Sequence, residues 1–395
     1  MAGFRILLAG GGTGGHLYPA LNLARALRRA DPAVRLAFIG ARRGIEARIL
    51  PESGYPYRLL PMQPLYRSRP WRNWRLVASA PAVLRGISRA FSEWDPELVV
   101  GTGGYVSAPA LFRAYRRGVR TAIQEQNAEP GLVTRLLASR VDQVHLGYPE
   151  AAERLEVGER TRVFAYGNPV AAGTIGSPGE SRYPWPTGKV LLVAGGSQGA
   201  AGLNRQLVED LASTSSWPEG TTMVWATGVG HHAWVTERVA LLPFADRIRV
   251  EPFIDDLGAQ LHRVSLAIAR SGAMFLAELA AAGVPAVLVP FPGAAGSHQT
   301  ANARAVQAAG AAVMREESEL QAGELWELAC GILRDEPTRL RMAAASGERG
   351  APDAAERIAL ELLELIASGP SPRASGPPPR VTSPRVTGPS PRASR

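Results

Sequence analysis

The chain has 395 residues, 46% hydrophobic and 20% charged, with a formal net charge of +9. That balance excludes a disordered chain and leaves room for two domains, each with its own core. Cys330 is the single cysteine, so no disulfide forms within the chain, and no stretch offers eighteen uninterrupted apolar residues for a membrane span.

The first strand-like run, "FRILLAG", leads into "GGTGGH" and the helical pattern "YPALNLARALRRA". The short apolar run has no signal-peptide layout, which points to the cytoplasm. Gly10, Gly12 and Gly15 satisfy G-x-G-x-x-G. A dinucleotide site also needs an acid at the tip of the second strand, about 20 residues on, to grip the ribose. Here the second strand, "VRLAFIG", ends in "ARRG", and Arg42 and Arg43 would suit only the extra phosphate of NADP. The glycines then serve a tight turn alone or, the preferred reading, present backbone N–H groups at a helix start to an anion or a sugar. His16 stands at that helix mouth, where the dipole disfavours its protonated form and keeps it neutral, as a general base must be. A histidine that merely caps or packs beside the turn is the plainer alternative.

Residues 62–91 mix arginines with aromatics, among them Arg72, Arg75, Trp71 and Trp74. Such a segment suits an anionic bilayer surface; a solvated helix with inward-packed tryptophans is the alternative. The strands "PELVVGTG" and "RTAIQEQ", with the helix "SAPALFRAYRRG" between them, complete the first half. After a Gly- and Pro-rich stretch the scheme starts again, about 180 residues on, with "KVLLVAGG". The strands "TTMVWATG", "RIRVEPF", "VSLAIAR" and "PAVLVPF" follow, with the helices "MFLAELAAAG" and "HQTANARAVQAAG".

Alternating strands and helices imply parallel sheets covered on both faces. The fold expected is α/β, with two Rossmann-like doubly wound domains facing across a cleft. The boundaries are 1–166, a linker at 167–188, 189–367 including a final helix, and a disordered Pro/Ser/Arg tail at 368–395. Five arginines and no acid lie from Gly369 onward, leaving +4 for the rest.

The second half offers further parts. Ser197 lies in a second glycine turn, and Ser271 and Gly272 open donors toward an anion. Glu278, just inside the next helix, can accept from a ribose diol, although an ordinary solvated glutamate fits as well. The Ile254 backbone can pair with a base edge, and His298 and Gln299 suit sugar hydroxyls. Metal-ligand spacing is missing, so a leaving diphosphate would rest on helix N-termini and side-chain donors.

Eight blocks, "GGTGGH", "GTGGYVSAPA", "EQNAEPGLVTRLLA", "GNPV", "GGSQGA", "FIDDL", "RSGA" and "AELAAAGVPAVLVPFP", occur in the order seen in one family. Over about residues 4–367 the chain resembles the peptidoglycan glycosyltransferases that make lipid II from lipid I. The resemblance implies a GT-B fold and an inverting transfer. N-acetylglucosamine passes from UDP-N-acetylglucosamine to the C4 hydroxyl of N-acetylmuramic acid in undecaprenyl-diphospho-MurNAc-pentapeptide, lipid I. By motif, Thr13, Gly14, Gly15 and Asn127 contact the donor from the first domain. Ser197, Ile254, Ala273, Met274, Phe275, Leu276, Ala277, Glu278 and Gln299 hold it from the second. His16 is the base, Glu125 a second catalytic candidate, for that role or for positioning the acceptor, and Tyr105 lines the acceptor cleft. No cofactor, metal or nucleic acid is expected. Peripheral attachment to an anionic cytoplasmic membrane face is expected to run through Arg72, Trp74 and Arg75. Two departures stand out: Ala171 replaces the usual arginine after "GNPV", and "PGAAGS" replaces a loop rich in His and Asp. Arg270 is the candidate to supply the missing charge. The rival readings are a GT-B enzyme with another lipid acceptor, a silent UDP-sugar-binding protein, and an NADP-dependent oxidoreductase.

Overall fold

The computed structural model describes residues 3–64, 70–171, 183–196 and 199–369. Much of the expected linker and nearly all of the tail lie outside the described residues.

Two parallel sheets are present. The first holds β1 (Arg5–Ala9), β2 (Arg35–Ala41), β3 (Tyr57–Leu60), β4 (Leu98–Gly101), β5 (Arg120–Glu125), β6 (Gln143–Leu146) and β7 (Arg162–Phe164), in the order β3-β2-β1-β4-β5-β6-β7. The second holds β8 (Lys189–Ala194), β9 (Thr221–Ala226), β10 (Ile248–Glu251), β11 (Leu266–Ala269), β12 (Ala286–Leu288) and β13 (Ala312–Met314), in the order β10-β9-β8-β11-β12-β13. All strand pairs are parallel, with Leu7 of β1 opposite Ala37 and Val99, and Leu192 of β8 opposite Val224 and Ala267. Every strand expected from an apolar run is present.

Successive residues of β1 point to opposite faces. Ile6 and Leu8 enter one core, Leu7 and Ala9 the other, and β8 is divided in the same way between two further cores. Covered on both faces, these strands read as continuous apolar runs. In each sheet the strand order reverses beside the first strand, between β1 and β4 and between β8 and β11. A doubly wound sheet opens its crevice outside the carboxyl ends at that point, so the loops after these four strands frame the site.

The final helix, Ala354–Ala367, was grouped by sequence with the second domain. Its apolar stripe, Ala355, Ile358, Ala359, Leu362 and Ile366, instead packs into the first domain's core beside Leu17, Leu21 and Ala24. Helical spacing gathers that stripe on one face, and helix Gly14–Ala30 offers the matching surface.

Candidate active site

On the first domain, the loop after β1 passes through Gly12 at φ +89° and enters helix Gly14–Ala30 with Thr13 as N-cap. Only glycine adopts that φ without strain. Thr13 and Gly15 are exposed, Gly14 and His16 half-buried. His16 Nδ1 lies 3.0 Å from Thr13 Oγ1. With its proton on Nδ1, the ring donates to Thr13 and leaves the Nε2 lone pair as the base. The loop after β4 closes on the ring through Gly103, at φ +94°, where a Cβ would stand 2.5 Å from His16 Cδ2. Thr102 Oγ1 donates to the His16 carbonyl at 2.7 Å. Packing that displaces water is the main influence holding the imidazole below its ordinary pKa. Glu125 and Glu46 oppose the shift, and His298 of the second domain reinforces it, which brings the two lips within electrostatic reach. Tyr105 lies against the glycine loop: a Cβ on Gly12 would stand 2.9 Å from its ring.

Glu125, the second catalytic candidate, is fully engaged. Oε1 accepts from Asn127 N and Nδ2 at 3.1 and 3.2 Å, and Oε2 from Gly131 N at 2.9 Å and Thr134 Oγ1 at 2.5 Å. With both oxygens taken up by these four donors, the geometry makes Glu125 a holder of the 126–134 loop. Asn127 is likewise engaged: its Oδ1 accepts from Asn302 Nδ2 at 3.2 Å. Asn302, fully buried on helix His298–Ala308, also accepts from Ala128 N at 2.8 Å and donates to Ser271 O at 3.2 Å. Nearby, His298 Nδ1 lies 2.9 Å from Glu129 O. The domains are therefore stitched together beside the cleft. The sequence reading passed over Asn302, although its spacing of four from His298 places both on one helix face.

On the second domain, Gly272 caps helix Ala273–Ala281. The helix's first backbone bond is Leu276 N to Gly272 O, so the amides of Ala273, Met274 and Phe275 have no partner within the helix and suit an anion. The side chains of this run are not all directed to one ligand. Ala273 packs with Ala128 and Tyr148 across the domain boundary, Leu276 lies in the core, and Ala277 lines an interdomain cavity of about 420 Å³ with Tyr148 and Tyr166. Glu278 is well desolvated and its carboxyl is pushed up to about 7 by burial. Such a group gains by meeting donors, as a ribose diol provides.

Gln299 Oε1 accepts from Phe291 N at 2.9 Å, leaving its Nε2 as the available donor, and Ser271 Oγ donates to Gln299 O at 2.7 Å. Ile254 is buried in the core, and its carbonyl accepts from Leu257 N at 3.4 Å. Ser197 lies outside the described residues. Arg270 does not stand in for the arginine missing at Ala171. Its guanidinium is buried, donates to Val289 O and Pro290 O at 3.0 Å each, and pairs with Glu317. Among the described residues, no group of three or more His, Cys, Asp or Glu is placed to hold a metal.

The arginine- and tryptophan-bearing segment is a helix at Trp74–Trp94. Val83, Ile87, Ala90 and Phe91 form its buried face. Trp71 and Trp74 do not pack inward: they are 70% and 64% exposed, with Val77 and Leu84 also exposed along the helix, whereas Trp94 at its end packs against the core. Arg75 lies over the Trp74 ring at 5.6 Å. The Arg72 side chain lies outside the described residues. No helix among the described residues is long and apolar enough to cross a membrane.

Residues 6–146 match the glycosyltransferase family 28 N-terminal domain and residues 190–358 its C-terminal domain. Two relatives carry the name UDP-N-acetylglucosamine–N-acetylmuramyl-(pentapeptide) pyrophosphoryl-undecaprenol N-acetylglucosamine transferase. The one from Moorella thermoacetica is 37% identical, covering 92% of this chain and 100% of its own. The one from Chlorobaculum parvum is 39% identical, with the same coverage of each chain. Among solved structures, Acinetobacter baumannii MurG superposes with a TM-score of 0.71 at 25% identity, over 93% of this chain and 100% of that one. A kitacinnamycin glycosyltransferase superposes with a TM-score of 0.68 at 17% identity, over 92% and 100%, a likeness of fold alone.

Proposed function

The chain belongs to glycosyltransferase family 28, and from that premise we propose that it transfers N-acetylglucosamine from UDP-N-acetylglucosamine to the C4 hydroxyl of N-acetylmuramic acid in lipid I, with inversion. The observation that carries this reading is His16. It is held below its ordinary pKa at the first domain's switch point, and His298 of the second domain bears on its charge. With the ring proton on Nδ1 facing Thr13 Oγ1, Nε2 removes the C4 proton as the hydroxyl oxygen attacks the anomeric carbon. The bond from that carbon to the diphosphate breaks, and UDP departs with the electron pair. The open amides of Ala273, Met274 and Phe275 stabilise the growing negative charge, while Glu278 grips the ribose and Gln299 Nε2 a sugar hydroxyl. Glu125 positions the 126–134 loop, and Tyr105 borders the acceptor's entry.

Radiolabelled sugar transfer tests the reading. Label is expected to pass onto lipid I, giving labelled lipid II, and not onto diacylglycerol; label on diacylglycerol alone favours a different lipid acceptor. Wild-type protein that binds UDP without moving label would be a silent nucleotide-sugar binder. Fluorescence titration with NADPH is expected to show no binding.

A lipid acceptor requires contact with a bilayer. The exposed Trp71, Trp74, Val77 and Leu84, with Arg75 beside them, suit the interface of an anionic cytoplasmic face, rings at headgroup depth and guanidiniums among phosphates. Flotation with phosphatidylglycerol vesicles is expected to carry the wild type upward and to leave an Arg72→Ala/Trp74→Ala/Arg75→Ala variant behind. Equal flotation contradicts this attachment.

A further inference from the structure

Glu46 belongs to none of the motifs, yet its side chain is wholly buried, at 0% exposure, directly behind the first glycine loop. It opens the short helix Glu46–Ile49, five residues past the end of β2. Oε1 accepts from Gly12 N at 2.9 Å and Ala41 N at 3.0 Å, and Oε2 accepts from Gly12 N at 3.1 Å. Three glycines make room for the carboxylate. A Cβ on Gly11 would stand 2.3 Å from Oε1, one on Gly44 2.4 Å from Oε2, and one on Gly40 2.8 Å from Cγ.

In a dinucleotide site the loop amides receive the diphosphate and the acid after the second strand receives the ribose. Here the acid after the second strand turns onto the loop. We infer that Glu46 is a built-in anion and positioning residue: it takes the Gly12 amide that a nucleotide phosphate would need, and so fixes the lip that holds Thr13 and His16 for proton removal.

The contacts carry the constraint outward. Gly104 packs so closely on Gly11 that a Cβ would stand 2.4 Å from the Gly11 carbonyl oxygen and 3.4 Å from His16 Nδ1, and Gly12 abuts the Tyr105 ring. A loop released from Glu46 would move base and acceptor wall together. The Glu46 charge also opposes the fall in the His16 pKa, so neutralising it should make the imidazole harder to protonate. The same arrangement explains why a G-x-G-x-x-G run can precede a helix without holding a nucleotide: the first domain's loop is already occupied, and the nucleotide falls to the second.

This inference rests on the transferase reading above, and its test separates the two. In Glu46→Gln, kcat is expected to fall by about tenfold or more, because small displacements of a base are costly, while the KM for UDP-N-acetylglucosamine stays within about twofold. The acid limb of the pH–rate profile should move to lower pH, and NMR titration of the His16 ring, which needs no activity, should show the same shift. Gly11→Ala, whose Cβ displaces Oε1 from the other side, should also lower kcat without raising donor KM, and decides the matter if Glu46→Gln does not fold. Wild-type kcat in both variants, a loss confined to donor KM, or an unmoved His16 titration overturns the inference. An inactive wild type overturns the transferase reading, leaving the NMR titration to judge Glu46.

Discussion

His16→Ala is expected to lower kcat by about 10²–10⁴-fold, the usual contribution of a positioned base, with UDP affinity unchanged. The asymmetry follows from where the groups stand. His16 sits on the first domain's lip, whereas the open amides of Ala273, Met274 and Phe275 and the desolvated Glu278 sit on the second. In the wild type, a base must be unprotonated, and burial holds His16 below 6.5. The kcat profile, read with both substrates saturating so that Glu278 is already ionised against the ribose, should therefore stay level as pH falls through 6.5 and decline only beneath it, and that acid limb should vanish in the residual activity of His16→Ala. Thr13→Val, which removes the hydrogen bond to Nδ1, should show a smaller loss of the same kind. A large drop in UDP affinity in His16→Ala, or an acid limb above 6.5, contradicts the assignment.

Glu278→Gln is expected to stabilise the free protein above neutral pH while weakening UDP binding. The folded carboxyl is pushed up to about 7 from an ordinary 4.5. Between those values the native state holds the proton more tightly than the unfolded chain, so stability falls as pH rises through the window. Above it the penalty is on the order of 3 kcal/mol, from the shift and about 1.4 kcal/mol per pK unit. Glutamine removes it, so Tm should rise at pH 8 and hardly change at pH 4. Ribose hydroxyls donate to the carboxylate and favour its ionised form. UDP binding should then release a proton near pH 6.5 and tighten as pH rises toward 8. Losing charge-assisted bonds of about 1.5–3 kcal/mol should weaken UDP by roughly 10- to 100-fold. Calorimetry in buffers of different ionisation heats measures both effects. Buffer-independent heats together with wild-type affinity in Glu278→Gln would place the ribose elsewhere.

The sequence revealed most of the interior of each sheet and one edge strand, β10, and hid the other margins. β1, β2 and β4, like β8, β9 and β11, are largely buried, mostly apolar runs, and the glycines after β1, β4, β8 and β11 exposed both switch points. β3, β7 and β13 are short strands at sheet edges, where one side is unpaired and the apolar pattern fades. β6 is interior but carries Gln143 and His145, both fully buried and 3.1 Å apart in a hydrogen bond. A strand in which buried polar residues alternate with apolar ones does not register as an apolar run. The path of the final helix was hidden for a different reason: an apolar stripe says that a helix packs, not against which domain.

The same division holds at the site. His16 stood out because a helix mouth states its own electrostatics, whereas Glu278 taken alone reads as an ordinary solvated helix glutamate and drew its ribose role from the family resemblance. Asn302 and Glu46 were not legible, since an asparagine inside a helix or a glutamate after a strand gains meaning only from its partners. Glu125 showed the reverse problem: a carboxylate in a prominent motif suggests a base, until the four donors around it are seen.

A crystal structure with intact UDP-N-acetylglucosamine tests the central claim most directly. The account predicts uridine beside Ile254 and Glu278, the diphosphate on the amides of Ala273, Met274 and Phe275, and the anomeric carbon in the gap toward His16 Nε2. Uridine lodged in the Gly10–Gly15 loop, or a sugar turned away from His16, would contradict it.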